Sequence, residues 1–241
     1  MRFIYDGNIY PLMEKVAFVK INATYFKDEY LKWRDEQNYY STKFDVKRVG
    51  GTLQDAVMSL LPFNSEKKVI IIPTNSNWVA YIDNNEDAQT EKAVVIAKRL
   101  KVECIDVCAF INSFGTKAND WGGGWIQIFD SLGSLVRRVE LTWQEKWEFE
   151  QYGMPQEFEN LQMYKQKFQR DRFTPEMLDA YCKYFGIDFF NEAFYFPEGV
   201  EGYLISDIPK EVYQRKTVTL NEARKFYGLG DSAFSSSDNL T

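Results

Sequence analysis

The chain of 241 residues carries 29 Lys and Arg against 35 Asp and Glu, a formal net charge of −6, and it contains no histidine. Without an imidazole it cannot build a Ser-His-Asp triad, a Cys-His pair, an HExxH zinc site, a histidine-ligated haem or a 2-His-1-carboxylate iron site. The acid surplus argues against a nucleic-acid partner, because gripping phosphates needs a basic surface, and it is compatible with a basic protein partner.

Residues 15–22, KVAFVKIN, place Val16 and Phe18 on one side and Ala17, Val19 and Ile21 on the other, which predicts a strand buried on both faces. Phe26, Tyr30 and Trp33 form one helical stripe over 26–37. A second helix is expected over 52–61, with Leu53, Val57, Leu60 and Leu61 inward and Pro62 as its stop. The β-branched runs Val69–Ile72 and Trp78–Ile82 flank the turn-forming Pro73-Thr74-Asn75-Ser76-Asn77, which predicts an antiparallel hairpin. A helix over 87–100 turns Ala93, Ile96, Ala97 and Leu100 inward and Lys92, Lys98 and Arg99 outward, and a strand follows over 102–110.

Residues 112–124 read as a loop. Strands are expected over 125–130, 135–143 and 146–150, the last two joined at Gln144-Glu145 as a hairpin. Beyond Gly153 the pattern turns helical: Leu161, Tyr164 and Phe168 are spaced for a helix over 159–171. Thr174-Pro175-Glu176 is a helix start, with an N-cap, a proline at the first position and an acid in the first turn; Gly186 fits the end. Thr219 and Glu222 form a capping box for a last helix that Gly228 ends. The fold class read from this order is α+β, a mixed, mostly antiparallel sheet with flanking helices and a helical C-terminal third. A single domain is expected over 1–230, with room for a small N-terminal lobe over 1–65 and a frayed tail over 231–241.

An odd count of three cysteines, Cys104, Cys108 and Cys182, argues against a disulfide scaffold and for a reducing compartment. Cys104 and Cys108 lie on one face of a strand about 13 Å apart, too far to share a bond or an ion, and read as small core residues. No metal and no cofactor are expected. The opening MRFIYDGNIY lacks a signal-type apolar stretch and no apolar run of membrane length occurs, so a cytoplasmic location with no membrane partner is expected.

Residues 145–159, EKWEFEQYGMPQEFE, hold five glutamates and one lysine interleaved with Trp147, Phe149, Tyr152 and Phe158. Acids among aromatics can grip a basic protein, the rings as anchors and the carboxylates as steering charges. Strand alternation offers a second reading: Trp147 and Phe149 inward, Glu148 and Glu150 in water. The binding candidates are Trp121, Trp147, Glu148, Glu150, Glu157, Glu159 and Arg172. Arg170 and Arg172 beside Asp171 can clamp an anion or tie the helix start to the glutamate-rich hairpin. WGGGW at 121–125 lacks the GK[ST] and following helix of a phosphate loop, and reads as a loop or bulge. The remaining catalytic possibility is a carboxylate pair drawn from Asp83, Asp106 and Asp130, with Trp78 or Trp121 stacking on a sugar; no spacing selects a pair.

The segments NSNWVAYIDN, KWEFEQYGMPQEFE and RDRFTPEMLDAYCKYFGI together resemble an uncharacterised family of stand-alone bacterial proteins, over roughly residues 68–195. The motif positions are Trp78, Ala80, Tyr81, Asp83 and Asn84; Lys146, Trp147, Phe149, Gly153, Phe158 and Glu159; and Arg170 to Thr174. The resemblance implies no activity and no catalytic residue. The expectation is a non-enzymatic cytoplasmic protein, concretely an immunity-type protein that occludes a basic, toxin-like partner through an acidic and aromatic surface. The alternatives are a carboxylate-dependent enzyme, a binding protein for a polar small molecule or glycan, and an oligomer-forming protein.

Overall fold

A strand with no polar face needs cover on both sides, and β1, Lys15–Val19, has it: it is the middle strand of a nine-stranded sheet. The computed structural model describes residues 3–37, 41–85, 90–113, 121–209 and 217–234. Its strands are β1, β2 (Ser41–Val49), β3 (Lys68–Pro73), β4 (Val79–Asp83), β5 (Cys104–Ser113), β6 (Trp121–Phe129), β7 (Leu135–Gln144), β8 (Lys146–Tyr152) and β9 (Gly202–Pro209), in the order β2-β9-β3-β4-β1-β5-β6-β7-β8. Every neighbouring pair is antiparallel.

Helices α1 (Ala23–Gln37) and α3 (Glu91–Leu100) cover one face with Phe26, Tyr30, Ala93 and Ile96, which pack on Ala17, Val19, Val69, Ile71 and Tyr81. The other face carries the larger core. There Val16, Phe18, Ile70, Ile72, Val107 and Ile126 meet α2 (Leu53–Met58), α4 (Pro175–Tyr184), α5 (Leu220–Phe226) and the segment 3–14. The molecule is thus a mixed α/β protein built on one large antiparallel sheet with helices on both sides.

The expected caps are in place. The Thr174 hydroxyl accepts from Met177 N–H, Pro175 is the first residue of α4, and Thr219 and Glu222 close their box on α5. The C-terminal third differs from expectation. Residues 159–171 form two short 3-10 turns, 163–165 and 169–171, because only Tyr164 of the stripe is buried while Leu161 and Phe168 stay exposed. Strand β9 also lies in this third and inserts between β2 and β3. Neither β2 nor β9 is expected from the sequence, since STKFDVKRV has no sustained apolar alternation.

WGGGW is strand, not loop. Gly123 takes φ 102°, and a Cβ there would stand 1.9 Å from the Leu141 carbonyl oxygen, so only glycine lets β6 approach β7 this closely. Lys92, expected outward, is turned in to an ion pair with Asp83. The tail is held at its start: the Ser232 hydroxyl donates to the Asn8 carbonyl at 2.8 Å and Phe234 packs edge-on against Tyr5. Residues 235–241 lie outside the described residues, as do 114–120 of the expected loop. Among the described residues no helix is long and apolar enough to cross a membrane.

Candidate functional site

Strands β7 and β8 meet at Glu145, whose positive φ of 64° makes the reversal tight. The register sets Trp143 directly opposite Trp147, and their rings meet edge to face with centroids 5.5 Å apart. Alternation along β8 puts Trp147 and Phe149 on the face of the larger core. That face is not fully covered at this end. Between the tryptophan pair and the segment leading into α4 runs a groove of about 490 Å³.

The groove joins apolar walls to a charged mouth. Leu141 and Phe173 line it and are buried, Trp143 and Trp147 are half-buried, and Arg170 and Asp171 stand 63% and 49% exposed with Nε and Oδ1 3.7 Å apart. Asn112 adds a polar wall, its Oδ1 accepting from Gly123 N–H at 3.3 Å. The wall opposite β8 is pinned to it. The Phe149 N–H donates to Gln169 Oε1 at 2.7 Å, Arg172 Nε donates to the Gln166 carbonyl at 2.9 Å, and the Arg172 guanidinium lies 6.0 Å from the Phe149 ring. Gln169 thereby caps part of an edge strand that would otherwise offer a bare ladder.

The structure separates the sequence candidates. Trp147 is in the groove, and Arg172 braces its wall. Trp121 begins β6, and its side chain lies outside the described residues. Glu148 and Glu150 point to the other face of the sheet, where Lys146 sits 3.2 Å from Glu148 and Arg138 sits 3.2 Å from Glu150 and 3.5 Å from Glu140. Burial, opposed by Arg138, raises the Glu140 carboxyl above its ordinary range. Glu157 is exposed and accepts from the Tyr184 hydroxyl.

Glu159 does not belong to any surface. Its side chain is 0% exposed and that of Arg137 is 1% exposed. Arg137 commits all five N–H groups: two to Glu159 at 2.8 and 2.6 Å, two to the carbonyls of Tyr152 and Gly153, one to Gln151 Oε1. Glu159 also accepts from Gln156 N–H at 2.7 Å and from the Tyr164 hydroxyl at 2.8 Å, and Tyr164 lies 3.0 Å from the Tyr181 hydroxyl. Burial, then the Tyr181 contact, pushes the Tyr164 phenol far above its usual range. A buried ion pair needs such full satisfaction to offset desolvation.

The strand-end acids are spent on structure as well. Asp130 Oδ1 accepts from Leu132 and Ser134 N–H at 2.9 Å each and shapes the β6–β7 turn. Asp83 is paired with Lys92 at 3.0 Å. Asp106 is buried and accepts from Trp125 Nε1 at 2.8 Å, and desolvation raises its carboxyl. Trp78, a candidate for sugar stacking, is buried and donates Nε1 to the Phe185 carbonyl at 2.9 Å. Cys104, Cys108 and Cys182 are free and buried, and among the described residues no group of three His, Cys, Asp or Glu is placed to hold a metal ion.

Sequence reading missed Trp143, Phe173 and Asn112 as partners of Trp147. The signal for Trp143 was present: four residues from Trp147 across a tight turn is a direct cross-strand pair. Phe173 and Asn112 arrive from distant elements and left no local signal. No protein-family model, curated protein or solved structure matches the chain.

Proposed function

We propose that this is a non-catalytic binding protein whose recognition site is the Trp143–Trp147 groove and whose occupant is a cationic segment of a partner protein. Occlusion of a basic partner is the way an immunity-type protein acts. The observation that carries the reading is the groove itself, with two half-buried tryptophans beside the exposed Asp171. Tryptophan faces attract ammonium and guanidinium groups, and a neighbouring carboxylate completes the charge. An exposed ring adds apolar contact area beside the mouth: Phe168, on the segment leading into α4, lies with its ring 5.6 Å from the Arg170 guanidinium. The net charge of −6 steers basic partners toward the molecule.

The acidity of 145–159 is weaker than it reads in sequence, because Arg137 and Arg138 from β7 neutralise Glu159 and Glu150. Recognition therefore rests on the rings more than on the glutamates.

Panning a displayed random-peptide library against the intact chain tests this. The expected selection is for peptides with Lys or Arg beside apolar residues, with binding reduced at least tenfold by Asp171→Lys and the unfolding midpoint unchanged. An unbiased selection, or retention of neutral oligosaccharides in place of peptides, overturns the reading.

A further inference from the structure

The two edges of the sheet are finished differently. At one end the β8 ladder is partly closed by Gln169, whose Oε1 accepts from the Phe149 N–H. At the other end β2 pairs with β9 on its inner side, and among the described residues no strand pairs with its outer side. Such an edge is a template for a further strand unless its side chains forbid the pairing.

Residues 43–49 of β2 run in unbroken register with β9, from Lys43 opposite Ile208 to Val49 opposite Gly202, and Val46 is their midpoint. The register shifts between Ser41 and Lys43, so the strand is irregular at its start. Phe44, Val46 and Arg48 share the face covered by α1, where the Arg34 guanidinium lies 5.5 Å from the Phe44 ring. Val46, between them, is 39% exposed. Lys43, Asp45, Lys47 and Val49 share the opposite face. There Asp45 and Lys47 pair at 3.0 Å with both side chains open to water, so each has room for a second counter-charge.

The order of the charges selects the partner. Directly opposed residues of an antiparallel pair share a face, so a strand meets a copy of itself about a two-fold axis that passes through one residue. With the axis at Val46, Asp45 faces Lys47 of the second copy and Lys47 faces its Asp45. Val46 then meets Val46, and Arg48 comes beside the Phe44 ring of the other copy. An axis at Asp45 sets that carboxylate against itself and Lys43 against Lys47, and an axis at Lys47 opposes two lysines. An axis at Phe44 pairs Lys43 with Asp45 but draws on the irregular start of the strand. Lysines commonly guard an edge against pairing. Here they alternate with an aspartate, and over the regular part of the strand the pattern is self-complementary.

We propose that β2 is a homodimer interface, at which two copies of this chain join edge to edge about a two-fold axis at Val46 and continue the sheet from one copy into the other. The tryptophan groove lies at the opposite end of the sheet, so pairing at β2 leaves it open in both copies.

Sedimentation equilibrium of the intact chain tests this. It should show a reversible monomer–dimer equilibrium in the micromolar range, because a contact of one strand on one strand is smaller than the interface of a tight dimer. Added salt should weaken it, since the charges concerned are exposed. Asp45→Lys opposes lysine to lysine across the axis, and Lys47→Asp opposes aspartate to aspartate. Each variant alone should dimerise at least about tenfold more weakly, with an unchanged circular dichroism spectrum. Mixed in equal amounts, the two should associate again as a heterodimer of wild-type strength, because the new lysine of one faces the new aspartate of the other and the native pair is kept on the second side of the axis. A chain that stays monomeric at high concentration, dimerisation unaffected by Lys47→Asp, or a mixture of the two variants that does not re-associate would each overturn the proposal.

Discussion

Arg137 and Arg138 are neighbours on β7, and they live in different solvents. Arg137 faces the larger core, where its guanidinium and the Glu159 carboxylate are sealed from water with every donor used. Arg138 faces the other side, 34% exposed, between Glu140 and a Glu150 that is 60% exposed. One residue of strand offset separates a structural pin from a solvated ladder. Formal charge along a sequence therefore says little about where an acidic surface lies. The fold has to place the counter-charges first.

That contrast makes graded forecasts. The largest concerns the pin. Glu159→Gln leaves Arg137 buried without its counter-charge and should destabilise the protein by about 3–5 kcal/mol in denaturant unfolding. A loss below about 1 kcal/mol would mean that water reaches the pair.

Asp106 is the intermediate case, a buried carboxylate on the ladder side with Trp125 Nε1 as a partner and Oδ1 unpaired. Desolvation raises its folded pKa above the ordinary 3.8. A raised carboxyl contributes stability that is complete below the unfolded value and is lost as pH rises through the folded one. Asp106→Asn should therefore gain on the wild type with rising pH, reaching about 1 kcal/mol near neutrality. A stability difference that is flat from pH 3 to pH 7 would contradict the assignment.

The smallest effect is on the ladder. Glu150→Ala should change stability by less than about 0.5 kcal/mol, and 0.5 M salt should erase the difference.

The elements legible in the sequence share one property: each is decided within a few residues. The 69–82 hairpin, the two-sided β1 and the caps at Thr174 and Thr219 are of this kind, and the structure has them where the residues put them. Strands β2 and β9 are not local. Val46 pairs with Ile205 across most of the chain, and β2 is an edge strand with charged residues on both faces, so no alternation announces it. The stripe over 159–171 had helical spacing. Glu159 is committed to Arg137, Gln156 and Tyr164, which binds the chain into turns at that point, and Leu161 and Phe168 have no core to enter.

The site was half legible for the same reason. Period-2 alternation separates Trp147 and Phe149 from Glu148 and Glu150 without any structure. The groove requires Phe173 and Asp171 to arrive from the approach to α4, and only the fold brings them there.

The two faces of the β7–β8 ribbon also supply the most direct trial of the proposed recognition site. A fluorescent peptide taken from the library selection would be titrated against Trp147→Ala in the groove and against the double variant Glu148→Lys, Glu150→Lys on the ladder, with unfolding curves confirming that both fold. The groove variant should lose at least tenfold in affinity while the ladder variant stays within about threefold of wild type, the residue of long-range steering. Equal losses in both, or a loss confined to the ladder, would place recognition on the glutamates and contradict the groove.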